Sequence, residues 1–264
     1  MLVSRQINLG DYLISYKHGG NGLDSTPLLF IHGWGVSTEP YQEILDQLAQ
    51  HHVLIAPDLP GTADSKSAQP LEDYQSYAKA LLLLLDALNI EKAHVIGHSL
   101  GGGIAIMMAA LAPNRVRSLV LANSTVRPAD PLWEMLVRRI LEILMQFSIS
   151  KLKLQLITVP QVLLHNLLFN PHHLLHSFNL VIQKDLKTLL SLIQAPCLIL
   201  WTEQDLTTPI MVAHQLLERI QQSKLVTIPE GFHEWVLLHP KEAASIITNF
   251  INQVEEVSSP DLTN

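Results

Sequence analysis

The segment AHVIGHSLGGGIAIMM, residues 93–108, starts as an apolar strand-like run and ends as a helix-like one. Between the two stand Ser99 and four glycines. Few arrangements tolerate so abrupt a reversal. The pattern Gly97-His98-Ser99-Leu100-Gly101 suits a tight strand-to-helix turn that holds a serine above a sheet edge, with small residues leaving room around it. The amino end of the following helix favours negative charge developing at that point. In an open parallel sheet, ligands bind beyond the carboxyl ends of the strands, so Ser99 is a candidate nucleophile.

The rest of the chain supplies such a sheet. Short apolar runs recur at residues 26–33, 52–59, 93–99, 117–124, 196–203 and 224–230, each closing on turn residues. Continuous rather than alternating apolar strands suit a sheet covered on both faces. Helical stretches at 41–50, 74–89, 100–112, 209–221 and 240–254 separate them, and Pro209 and Pro240 fall where a first helical turn accepts proline. The alternation predicts a doubly wound, mostly parallel α/β sheet. The amino-terminal MLVSRQINLGDYLISYK reads as a strand pair and not as a signal peptide. Residues 127–191 break the rhythm and read as a helical insertion. The core is expected over 1–126 and 192–257, with a frayed tail at 258–264.

Composition narrows the function. The 264-residue chain is 48% hydrophobic and carries a net charge of −7. That balance provides for a large core and lacks the basic footprint of a nucleic-acid binder. The single cysteine, Cys197, lies in the apolar run PCLILW and reads as a small buried hydrophobe. No run of 18 apolar residues suggests a transmembrane helix, so the default location is the cytoplasm.

A nucleophilic serine requires a base, and the base an orienting acid. Chain order in this type of sheet is serine, acid, histidine. Asp205 follows a strand end in LILWTEQDLTTP, and His233 follows the next in VTIPEGFHEW. Glu203 competes for the acid but stands closer to the strand. His214 lies within a predicted helix, and His239 precedes the proline that starts one. The backbone N–H groups of Leu100 and of Trp34, in FIHGWG, are the candidate oxyanion hole. His32 and His98 read as ordering, hydrogen-bonded residues. His165, His172, His173 and His176 invite a metal hypothesis, but no acidic or cysteine partner stands nearby in the sequence, so no metal or organic cofactor is expected.

These residues carry a resemblance. HGWG at 32–35, DLPG at 58–61, GHSLGG at 97–102, Asp205 and GFH at 231–233 resemble the lid-bearing serine esterases of the α/β-hydrolase superfamily. HGWG with GHSLGG is loosely similar to the carboxylesterase that demethylates a pimeloyl ester on acyl carrier protein. Enol-lactonases and hydrolases of carbon–carbon bonds are also similar. The chain departs from relatives in DLPGTADS, where a second glycine is usual, and in WTEQD, which lacks a glycine before the acid. The resemblance implies a serine hydrolase acting on a small-molecule carboxylic ester with an apolar acyl or alcohol part. The alternatives are carbon–carbon, lactone or thioester cleavage on the same residues, or a ligand-binding receptor that retains the fold. An acyl-carrier partner is left undetermined.

The insertion is expected to shape the pocket. In WEMLVRRILEILMQF, residues 133–147, Glu134, Arg138, Glu142 and Gln146 form a stripe at four-residue spacing, and most of the remainder is apolar. An apolar inner face lining an acyl pocket is expected, with Trp133, Leu136 and Ile140 as pocket candidates. A helix resting on a membrane or lipid surface is the less favoured reading.

Overall fold

The computed structural model describes residues 1–22, 25–126 and 132–258. Among these residues nine strands form one sheet: β1 (Leu2–Asn8), β2 (Tyr12–Gly20), β3 (Leu28–Ile31), β4 (Val53–Pro57), β5 (Lys66–Ser67), β6 (Ala93–His98), β7 (Val116–Ala122), β8 (Cys197–Thr202) and β9 (Ser223–Ile228). Their spatial order is β1-β2-β4-β3-β6-β7-β8-β9, with the short β5 paired to β2. From β4 to β9 every pairing is parallel. The amino-terminal strands pair antiparallel with each other, and β2 also runs antiparallel to β4.

Side chains divide along each central strand by the period of two. Leu29, Ile31, Val95, Leu119, Leu121, Ile199 and Trp201 enter one core. Their alternates Leu28, Phe30, Ile96, Val120, Ala122, Leu198 and Leu200 enter the other. Both faces are therefore dry, which is why these strands read as unbroken apolar runs. Helices α1 (Gln42–Leu48), α2 (Tyr74–Ala87) and α3 (Leu100–Leu111) lie in the first half of the chain. Among them α2 begins with an Asp73 side chain that caps the N–H of Ser76 at 2.7 Å.

Between β7 and β8 the chain inserts α4 (Leu132–Met145), α5 (Val159–Phe169) and α6 (Pro171–Gln183), with short helical turns between and after them. Helices α7 (Met211–Arg219), α8 (Trp235–Leu238) and α9 (Pro240–Ser258) complete the fold. Pro240 opens α9 as the sequence suggests, whereas Pro209 stands ahead of α7, its carbonyl accepting from the Val212 N–H at 2.8 Å. Of the expected tail, Ser258 ends α9 and residues 259–264 lie outside the described residues, as does the junction 127–131. No helix among the described residues is long and apolar enough to cross a membrane.

Candidate active site

Ser99 occupies the turn between β6 and α3 with φ 54° and ψ −119°, a conformation rare for a residue with a side chain. Its strain is held from several sides. The Ser99 carbonyl accepts from the N–H groups of Gly102 at 3.0 Å and Thr125 at 3.0 Å, and from the Thr125 hydroxyl at 3.2 Å. The flanking glycines are required by close approach. A Cβ on Gly97 would stand 2.3 Å from the Gly101 carbonyl oxygen, and one on Gly101 would stand 2.2 Å from that of Ile31.

Asp205 follows β8 and His233 follows β9, and the fold brings both to Ser99. His233 Nε2 lies 3.0 Å from Ser99 Oγ, and His233 Nδ1 lies 2.9 Å from Asp205 Oδ2. All three side chains are buried. The carboxylate fixes the proton on Nδ1, leaving the Nε2 lone pair to accept from the serine hydroxyl. Asp205 also accepts from the Thr208 N–H at 2.6 Å, from the Thr208 hydroxyl and from Asn123 Nδ2. Burial opposes its charge, but His233 and the Thr208 bonds outweigh burial and hold the carboxyl below its ordinary range.

The loop after β3 runs past the serine, so that a Cβ on Gly33 would lie 3.4 Å from Ser99 Cβ. Trp34 is next in that loop, and Leu100 is the first residue of α3. His32 Nδ1 donates to the Gly33 carbonyl at 2.8 Å, and its Nε2 accepts from the Leu59 N–H at 2.9 Å. His98 Nε2 donates to the His233 carbonyl at 3.0 Å, and its Nδ1 accepts from the Tyr41 hydroxyl at 2.7 Å. Tyr41 in turn accepts from the Gly33 N–H at 3.1 Å. Burial lowers the pKa of His98 to about 3, so it stays neutral and ties the Gly33 loop to the histidine loop.

A cavity of about 430 Å³ opens above these residues. Its floor carries Ser99, His98 and His233; its walls include Trp34, Met135, Val159, Leu174, Phe178 and Val181. The Trp34 and Phe178 rings meet at 5.0 Å, and Trp34 Nε1 donates to the Leu174 carbonyl at 3.0 Å, which fastens α6 over the loop. The buried Asn166 of α5 fastens the insertion again, donating to the Gly35 carbonyl at 3.2 Å and accepting from the Ala63 N–H at 2.7 Å.

The inner face of α4 differs from expectation. Glu142 is fully buried and accepts from the N–H groups of His233 at 3.0 Å and Leu206 at 3.1 Å, and from the Thr207 hydroxyl at 2.5 Å. Arg139 pairs with Glu234 and with Glu142, and Gln146 also donates to Glu234. The polar side of the helix therefore faces the Asp205 and His233 loops, because their main-chain donors need acceptors, and the apolar side is turned out. Trp133 is 69% exposed and Ile140 59% exposed, and neither lines the cavity. The side chain of Leu136 lies outside the described residues. Met135 and Arg139 of α4 line the cavity instead. Spacing along one helix could not identify Glu142 as a partner of loops 64 and 91 residues away. Thr208 was missed as well; the available signal was local, a small polar residue three positions after Asp205 that can close a turn on its carboxylate.

His165, His172, His173 and His176 line a separate, open cleft of about 1200 Å³, joined there by Asp64 and Glu72, which the sequence places far away. That cleft contains none of Ser99, Asp205 and His233. Among the described residues no group of three or more metal-ligating side chains is assembled to hold an ion.

Comparison with known proteins follows the same outline. The family model of the alpha/beta hydrolase fold matches residues 26–170, more than half of the chain. The chain belongs to the α/β-hydrolase fold family. This α/β-hydrolase is 28% identical over 242 residues to the pimeloyl-[acyl-carrier protein] methyl ester esterase of Neisseria meningitidis, covering 85% of this chain and 76% of that protein. It is 40% identical over 115 residues to the dihydrolipoyllysine-residue acetyltransferase component of the acetoin cleaving system of Pseudomonas putida. That match takes in 44% of this chain, which spans only 30% of the length of that relative. In three dimensions it superposes on the enol-lactonase of Burkholderia xenovorans with a TM-score of 0.80 at 16% identity, over 94% of this chain and all of that one, a likeness of fold.

Proposed function

We propose that this α/β-hydrolase is a serine esterase that cleaves a carboxylic ester with an apolar acyl or alcohol part. The observation that carries the reading is the unbroken hydrogen-bonded line from Ser99 through His233 to Asp205, set at the floor of an apolar cavity. In the proposed reaction Ser99 Oγ attacks the ester carbonyl as His233 Nε2 takes its proton. Asp205 holds the imidazole in position and stabilises its protonated form. The N–H groups of Trp34 and Leu100 bind the oxyanion, and each such donor contributes roughly 3–4 kcal/mol to the transition state. His233 then protonates the leaving alcohol. Water, deprotonated by the same histidine, attacks the acyl-enzyme carbonyl and releases the acid with Ser99 restored.

The insertion acts in this reading as a lid over the acyl cavity. The esterase name of the Neisseria relative supports ester chemistry. Carbon–carbon, lactone and thioester cleavage would use the same three side chains, and a substrate panel separates them. No feature of the site favours a receptor over an enzyme, because a binding protein has no need of the strained serine.

A fluorophosphonate probe tests the assignment. It is expected to label the wild-type protein at Ser99 and to leave Ser99→Ala unlabelled. Labelling of a different serine, or turnover of a nitrophenyl ester that persists undiminished in Ser99→Ala, defeats the reading.

A further inference from the structure

The polar side of α4 is spent on the catalytic loops, and the apolar side is left facing solvent. Trp133, Val137, Ile140, Leu141 and Leu144 are exposed at the spacing of one helical face. The exposure continues through Ile149, Leu156 and Ile157 into α5, where Leu164, Leu167 and Leu168 are exposed and Phe169 is 71% exposed. Most of the large exposed hydrophobics among the described residues fall between 133 and 175. A patch of this extent marks an interaction surface and not incidental exposure.

Charge indicates what covers it. The whole chain carries −7, yet residues 127–191 contain seven Lys or Arg against four Asp or Glu. No carboxylate occurs between Glu142 and Asp185, a stretch that contains Lys151, Lys153 and Lys184. The insertion is thus apolar and basic on an otherwise acidic body. Lys151 is paired with Glu43, while Lys153 and Lys184 are exposed. Apolar side chains that enter a bilayer interface beside lysines whose long stems let the charge reach the headgroups suit an anionic membrane surface. Leu167 and Leu175 belong both to the exposed surface and to the wall of the Ser99 cavity. An acyl chain could therefore pass from lipid to the serine without crossing water.

We infer that the outer face of the α4–α5 insertion docks on an anionic lipid bilayer and that the substrate is a lipid-borne acyl ester drawn from it. The substrate half rests on the esterase reading; the docking half does not.

The test uses the catalytically silent Ser99→Ala chain and two vesicle types, phosphatidylcholine with and without phosphatidylglycerol. Co-sedimentation with the phosphatidylglycerol vesicles is expected, with a blue shift of tryptophan emission that Trp133→Phe removes. Lys153→Gln is expected to weaken association about fivefold, and Leu144→Asp or Ile157→Asp to abolish it while Ser99 in the otherwise wild-type chain still reacts with the fluorophosphonate. Equal binding to both vesicle types, or no binding to either, overturns the inference. So does a stable dimer that buries Trp133, or association only with an acidic protein. If vesicles bind but wild-type protein hydrolyses no ester, the esterase reading fails and the docking surface stands.

Discussion

The carboxylate of Glu142 accepts a hydrogen bond from the main-chain N–H of His233 at 3.0 Å, across 91 residues of sequence. The same side chain holds Leu206, next to Asp205. One residue of the insertion thus fixes both loops on which the proposed acid and base stand. Glu142→Ala leaves buried donors unpaired, at about 1–3 kcal/mol each. We expect kcat to fall at least tenfold with KM changed far less, as misalignment costs rate more than binding. Glu142→Gln, which keeps an acceptor oxygen, should recover part of the loss. Steady-state kinetics on the two variants decides it; equal kcat in Glu142→Ala and wild type removes the positioning role.

Acid sensitivity follows from the buried histidines. The native pKa of His98 is about 3 and that of His94 about 4, both lowered chiefly by burial, against an unfolded value near 6.5. The unfolded chain therefore binds more protons below about pH 6.5, and stability is lost as pH falls toward the native values. Each histidine contributes a slope of about 1.4 kcal/mol per pH unit in that window. Asp205, with its lowered pKa, adds a further loss only below the ordinary carboxylate range. Urea unfolding at pH 7 and pH 5 should give a clear drop, made shallower in His98→Gln. A pH-independent unfolding free energy between these values contradicts the assignment of neutral buried rings.

Under the esterase proposal, the apolar cavity predicts a dependence on acyl chain length. Burying each methylene is worth about 0.8 kcal/mol, close to fourfold in kcat/KM. Nitrophenyl esters should improve from acetate upward until the cavity of about 430 Å³ is full. Val181→Glu, in the cavity wall, should flatten that slope, whereas Ile140→Glu, on the outer surface, should leave it intact. A slope insensitive to Val181 and abolished at Ile140 would reverse the orientation of α4.

What could be read from residues alone was what local chemistry dictates. Gly97 is required by a backbone contact within the turn itself and Gly101 by the passing Ile31 carbonyl of β3, and the small residues that GHSLG places around Ser99 announced both. Asp205 and His233 could be picked out because each stands just past a strand end, in the chain order serine, acid, histidine. The orientation of α4 was not legible. A helix pattern defines two faces but not which one points inward, and the usual assignment of the apolar face to the interior gave Trp133 and Ile140. Here the N–H groups of Leu206 and His233 required an acceptor, and that need appears only when loops distant in sequence converge. Met135 and Arg139 took the pocket positions, two residues from Trp133 and one from Ile140, and a single residue is about 100° of helical rotation.

Ser99 holds its φ of 54° at a cost of roughly 1–3 kcal/mol for a residue bearing a Cβ. Glycine at that point would relax the turn and should raise the melting temperature of the protein while ending its chemistry; alanine, which keeps the Cβ, should not. A thermal-shift comparison of the two variants measures how much folding energy the turn withholds. Under the esterase proposal, heat resistance and turnover then pull this position in opposite directions, and a laboratory selection for thermostability alone would reward sequences that have discarded the proposed nucleophile.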